Sequence, residues 1–327
     1  MTTRPLLPAL LTGALMLATI NLLIGAWSHR LPYFQELESV RTAQDPNLLF
    51  VGNSLLDSLF ASRLDEAALV QSAPGAGFRP LNSALGATLP PEQQLLFDYA
   101  VRIHPDIRTV VVGIYDFQLT APDHSRVTDL VGNRMVGFDR RFSVSEVAAV
   151  YGFGPLDKVE FEAMRMLPMA ANRANVWKYV ELLRRAMESM GMPHTATNSM
   201  GRVDDFAALE AASVDAFDAQ AQAFLQNPNH FNESYESIFK QAHRDGMKLV
   251  IVWMPMSPFH HRMFYSRPLW QKHQDAVDAL AGRRGIRVID ASNWMTSEDD
   301  FDDHLHMTKA AAHEFSIRLG SELVIAR

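Results

Sequence analysis

Asn47-Leu48-Leu49-Phe50-Val51-Gly52-Asn53-Ser54-Leu55-Leu56-Asp57-Ser58 is the stretch from which the rest of the chain is read. Leu48 to Val51 form an unbroken apolar run, the pattern of a parallel strand covered on both faces. Gly52-Asn53 breaks that strand, and a helix is expected to start near Leu55. A serine at such a junction sits at the carboxyl end of the strand, where open α/β sheets place their ligands. A following helix would aim its amino-terminal N–H groups at an incoming oxyanion. Taken alone, the stretch reads more simply as a strand followed by an N-capping serine.

The far end of the chain changes that balance. In Phe301-Asp302-Asp303-His304-Leu305-His306-Met307-Thr308, Asp303 and His306 stand three residues apart. A serine hydroxyl is a poor nucleophile until an imidazole takes its proton, and the imidazole needs a carboxylate to fix its tautomer. The spacing selects His306 as the base and Asp303 as its partner, and leaves His304 as a surface neighbour.

Together, Gly52-Asn53-Ser54 and Asp303-x-x-His306 resemble the two end blocks of the SGNH, or GDSL-like, hydrolase superfamily. The resemblance spans roughly residues 46–325, apart from a central segment that aligns with nothing. It implies a catalytic set of Ser54, Asp303 and His306, a strand order 2-1-3-4-5, and an oxyanion hole made by the N–H groups of Ser54 and Gly86. Ala87 is the alternative to Gly86, because the spacing after Asn82 is shortened by one. The third family block, Gly-x-Asn-Asp, reads Gly113-Ile114-Tyr115-Asp116 here, so the asparagine that donates to the oxyanion is missing. Losing one such donor typically costs about 10²–10³ in rate. Asn53, Tyr115 and Asp116 are the further candidates for substrate contact; Tyr115 either donates its hydroxyl or simply packs.

The intervening pattern alternates strands and helices. Further strands are expected at Phe78–Asn82, Thr109–Tyr115, Met247–Met254 and Gly285–Asp290, with helices over Leu55–Leu69, from Pro90 to about Ile103, over Pro268–Ala281 and over Thr308–Val324. This predicts a three-layer α/β/α, flavodoxin-like domain around a mostly parallel five-stranded sheet. From Ala121 to Arg244 no strand signal stands out, and the segment is too long for a structureless loop, so a mainly helical insertion is expected over about 121–244. Within it, Val176–Leu183 and Asp204–Phe224 read as helices and Met190–Gly201 as a loop. Its methionines, Met164, Met166, Met169, Met187, Met190 and Met192, read as core packing, with an acyl or partner groove as the alternative.

The 25 residues 5–29, between Arg4 and Arg30, carry no formal charge. As a helix they would extend about 37 Å, enough for a hydrocarbon core of about 30 Å. Residues 1–30 are read as a transmembrane anchor, with a cleaved signal peptide as the alternative because Ala26-Trp27-Ser28 offers small residues at a peptidase spacing. Charge bias leaves orientation nearly open, and an amino terminus inside is chosen because a long following domain translocates largely regardless of charge. Residues 31–46 are expected to be a linker and 47–327 the α/β domain.

A net charge of −7 argues against a nucleic-acid binder. Without cysteine, disulfides and thiolate-bound metals are excluded. His260-His261 lacks an accompanying carboxylate cluster, so neither metal nor cofactor is expected. The resemblance and the anchor together imply a periplasmic serine esterase or O-acetyltransferase on the bacterial inner membrane. It would act on cell-surface polysaccharide beside a membrane-bound O-acyltransferase. The alternatives are a lipid or small-ester esterase, or a catalytically silent glycan-binding or scaffold domain.

Overall fold

Five short strands, β1 (Leu48–Val51), β2 (Pro80–Asn82), β3 (Thr109–Ile114), β4 (Lys248–Trp253) and β5 (Arg287–Asp290), form one sheet in the order β2-β1-β3-β4-β5. Every pairing is parallel. The computed structural model describes residues 6–30, 32–57, 64–86, 88–122, 136–171 and 211–325. β1 is buried along its whole length, and β3 and β4 from their second residues on, which is why they read as continuous apolar runs.

The helices, in chain order, are α1 (Leu6–Trp27), α2 (Pro32–Thr42), α3 (Glu66–Ser72), α4 (Pro90–Ile103), α5 (Val144–Tyr151), α6 (Pro155–Met166), α7 (Pro168–Ala171), α8 (Ala211–Leu225), α9 (Glu233–Arg244), α10 (Pro268–Arg283) and α11 (Lys309–Ile325). Two compact units result. One comprises Met1–Glu36 with His124–Ala196, and the other Leu37–Asp123 with Thr197–Arg327. The second holds the sheet.

Local rules explain the helices of the sheet unit. Pro90 and Pro91 open α4 in the first turn, where the missing N–H costs nothing. Asn232 caps α9 by accepting from the Tyr235 N–H, and Tyr235, Ile238, Phe239 and Ala242 give α9 a buried face at helical spacing. That face packs on α4 and β4. In α11, a Cβ on Gly320 would overlap the Leu69 carbonyl and the Ser72 hydroxyl, so glycine lets α11 lie against α3. Ser316, fully buried in α11, accepts the Asp65 N–H at 2.8 Å, and His313 Nδ1 lies 2.8 Å from Asp65 Oδ2.

Several boundaries differ from expectation. Residues 32–42 are helical, with Leu37 and Val40 fully buried, where a linker was expected. α8 and α9 lie in the expected insertion but pack in the sheet unit, on α10 and on α4. The described part of 121–244 contains no strand. Val176–Leu183, Met190–Gly201, Met187, Met190 and Met192 lie outside the described residues.

Candidate active site

β1 ends at Val51, and the chain turns at once. Asn53 organises the turn: its carbonyl accepts the N–H groups of Leu56 (3.1 Å) and Asp57 (3.0 Å), and its side-chain oxygen accepts the Leu55 N–H (3.1 Å). The expected helix at Leu55 is therefore replaced by a tight turn over 54–56, and the next described helix is α3 at Glu66. Such a side-chain oxygen competes with helical hydrogen bonding, as asparagine does at turns. Leu56 is fully buried, and a Cβ on Gly113 of β3 would overlap its side chain, so glycine at 113 lets the turn pack on the sheet.

Opposite stands the 301–307 loop, closed by an antiparallel bridge between Phe301 and Met307 and by the Asp302 N–H donating to the His306 carbonyl at 2.7 Å. Inside it, Asp303 Oδ1 accepts the N–H groups of Leu305 and His306, both at 2.8 Å, while Asp303 Oδ2 lies 2.7 Å from His306 Nδ1. His306 Nε2 lies 2.9 Å from Ser54 Oγ. Ionised Asp303 fixes the tautomer with hydrogen on Nδ1, which leaves Nε2 free to accept the serine proton. Burial pushes the Asp303 carboxyl up, but the hydrogen bonds from His306 and the two backbone N–H groups outweigh it and hold the pKa at about 2.

Gly86 does not stand ready as an oxyanion donor. Its N–H donates to the buried Asp57 carboxylate, so a substrate oxygen would have to displace that acceptor. Ala87 lies outside the described residues. No hydrogen bond engages the Ser54 N–H among the described residues.

Asn53 is buried, and both ends of its amide are turned inward, Nδ2 donating to Gln118 Oε1 at 3.2 Å and the side-chain oxygen accepting the Leu55 N–H, so the structure shows it forming the turn. Asp116 adopts a left-handed conformation with φ 44°. Its N–H donates to the Tyr265 hydroxyl, and its Oδ1 receives that hydroxyl (3.0 Å) and His260 Nε2 (2.9 Å). Asp116 is thus held by internal partners on both its N–H and its carboxylate. Tyr115 is half-buried, and burial, then the Asp116 charge, pushes its hydroxyl up to about 12. Neither Tyr115 nor Asp116 hydrogen-bonds to Ser54, Asp303 or His306 among the described residues.

His304 is half-buried, not a surface residue; its ring stacks on His260 with centroids 5.9 Å apart, and burial, then neighbouring His260, pulls its pKa down to about 4. Among the described residues no group of three or more His, Cys, Asp or Glu side chains could hold a metal ion.

Sequence reading missed the polar layer beneath the Ser54 turn. Gln118 Nε2 donates to Gln93 Oε1 (3.1 Å) and to the Tyr235 hydroxyl (2.7 Å), while Thr88 donates to the carbonyls of Gly52 and Leu85. The available signal was glutamine at an apolar-periodic position: Gln93 is fully buried in α4. Buried amides of this kind are retained where every partner is supplied.

No protein-family model matches the chain, and no curated protein matches it significantly. Among solved structures, it is similar to a GDSL-like lipase from Bacteroides thetaiotaomicron VPI-5482, with 10% identity, a TM-score of 0.36, and coverage of 90% of this chain and 98% of that one.

Proposed function

We propose that the sheet unit is a serine-dependent ester hydrolase or acyltransferase of SGNH type. The observation that supports this most directly is the hydrogen-bonded line Ser54 Oγ, His306 Nε2, His306 Nδ1, Asp303 Oδ2. In the first half-reaction Ser54 Oγ attacks the ester carbonyl carbon as His306 takes the hydroxyl proton, and the carbonyl oxygen becomes an oxyanion facing the Ser54 N–H. The C–O bond then breaks, the alcohol leaves with the proton from His306, and the acyl group stays on Ser54. Water or an acceptor hydroxyl, deprotonated in turn by His306, releases it. Throughout, Asp303 orients the imidazole and offsets its positive charge.

In the finer reading, α1 anchors the chain in a bacterial inner membrane, with its amino terminus inside and the catalytic unit periplasmic. The acyl group is acetyl and the acceptor a cell-surface polysaccharide, with a membrane-bound O-acyltransferase as partner. α1 supports the anchor in that reading: the window Leu11–Arg30 is long and apolar enough to cross a membrane, and none of it is buried. A lipid or small-ester esterase is the runner-up. The occupied Gly86 N–H favours a second reading, a catalytically silent glycan-binding or scaffold domain. Labelling with a fluorophosphonate probe separates them: the wild type should be labelled and Ser54→Ala should not. Equal labelling of both, or of neither, would remove the catalytic reading.

A further inference from the structure

Exposed large apolar side chains gather outside the sheet unit. Among the described residues, six lie on α1, and five more, Leu156, Val159, Met166, Leu167 and Met169, lie on α6 and α7 or the residue between them. In α6, Leu156, Val159, Ala163 and Met166 recur at helical spacing and are all exposed, while the buried Phe161 faces the opposite way. This forms an apolar stripe about 100° wide turned outward, the reverse of a helix serving a water-soluble core.

The attachment of α7 fixes where that stripe lies. The Met169 N–H donates to Asn21 Oδ1 of α1 at 3.0 Å, and a Cβ on Gly25 would come within 3.2 Å of Pro168 Cγ. Asn21 is six residues before Trp27, or about 9 Å along a helix axis. If α1 crosses a bilayer, α7 is held below the level of Trp27, where headgroups meet acyl chains. The bond also supplies Asn21 with a partner inside the apolar run, where an unsatisfied amide would be costly. At the carboxyl end of α1, a cavity of about 310 Å³ is lined by Gly25, Ser28, Asp139, Arg140 and Arg165 among others. Asp139 pairs with Arg141 at 3.5 Å and its carbonyl accepts from Arg165 at 3.0 Å, and Glu162 and Glu146 also act on Arg165, which leaves the exposed Arg140 as the cation the cavity presents most openly.

We propose that α6 and α7 lie in the lipid interface beside the anchor, the stripe Leu156-Val159-Ala163-Met166 at the acyl boundary and Arg140 and Arg165 facing anionic lipid phosphates. This rests on reading α1 as a membrane span and is independent of the chemistry at Ser54. Such an element lies on the membrane without crossing it.

Because the chain has no cysteine, each introduced cysteine is unique. The full-length protein, reconstituted in nanodiscs of mixed phosphatidylglycerol and phosphatidylcholine, would carry an environment-sensitive fluorophore on Val159→Cys, Met166→Cys, Lys158→Cys or Leu15→Cys. The expected result is blue-shifted emission at 159 and 166 and quenching by nitroxide-bearing lipid several-fold stronger than at 158, with a stronger effect from anionic lipid that Arg140→Gln reduces. If Leu15 is quenched while 159 and 166 match 158, the interfacial placement is wrong though the anchor stands. Without quenching at Leu15, the anchor reading itself fails. Blue-shifted but unquenched probes at 159 and 166 would mean that protein covers the stripe, and anionic preference unchanged by Arg140→Gln would overturn the phosphate contact.

Discussion

Replacing Asp303 by asparagine tests both the chemistry and the energetics of the site. The carboxylate accepts three hydrogen bonds, from His306 Nδ1 at 2.7 Å and from two backbone N–H groups at 2.8 Å. Its folded pKa is about 2, against 3.8 for a free aspartate side chain. A depression of nearly two units corresponds to roughly 2 kcal/mol of folding stability, since one unit is about 1.4 kcal/mol. The sign follows from the proton balance. Above pH 4 both states are ionised and the folded state gains the full interaction; between about 4 and 2 the unfolded state binds its proton first, and the gain disappears as pH falls through the folded value.

Asp303→Asn should therefore lower stability by roughly 2 kcal/mol at pH 7, with the deficit shrinking between pH 4 and 2. Urea titrations of both proteins at each pH would measure it. Catalytically, an amide cannot dictate hydrogen on His306 Nδ1, and kcat on an acetyl ester should fall by about 10⁴ while KM stays near its wild-type value. A variant keeping a tenth of wild-type kcat would refute the orienting role. A stability deficit that does not change with pH would refute the electrostatic account.

Ser54→Ala and His306→Ala should each abolish ester turnover, and the double variant should lose little more, because groups acting as one unit are not additive in single-turnover assays. Tyr115→Phe should change turnover less than about threefold, since its hydroxyl makes no hydrogen bond to Ser54, Asp303 or His306; a drop of about 10² in kcat would identify that hydroxyl as the missing oxyanion donor. Gly320→Ala should destabilise the chain by about 1–3 kcal/mol, read from its urea midpoint, because the added methyl meets the Leu69 backbone as well as the Ser72 hydroxyl, and the backbone cannot swing aside as the hydroxyl can.

Apolar runs made β1, β3 and β4 legible, because a strand buried on both faces has no polar positions to obscure it. Asp303 and His306 were legible as a pair because three residues within one small loop suffice to bring them together. Other features depend on partners far away in sequence. Asn53 looks as fit for substrate as for turn-forming until Gln118, 65 residues on, is seen taking its amide. Gly86 has the right position in the chain, yet the direction of its N–H is set by Asp57, 29 residues earlier. The α2 segment carries too many charged and polar residues to signal burial, but two apolar positions, Leu37 and Val40, are enough to bury one side. Periodicity reports which face is apolar; it does not say where a buried polar atom finds its partner.

The oxyanion hole bears on hydrolysis against transfer. Of the two backbone donors expected there, the Ser54 N–H has no partner among the described residues, and the Gly86 N–H donates to the Asp57 carboxylate. Each donor is worth about 10²–10³ in rate, so a site using one of them activates small esters poorly, however well Ser54, His306 and Asp303 are aligned. On the proposed esterase reading, freeing the Gly86 N–H from Asp57 would draw on binding energy from remote parts of the substrate, which a simple acetyl ester cannot supply. Such a site would discriminate by the size of what it binds, and on this ground we propose that its acyl donor or acceptor is an extended molecule rather than a small soluble ester.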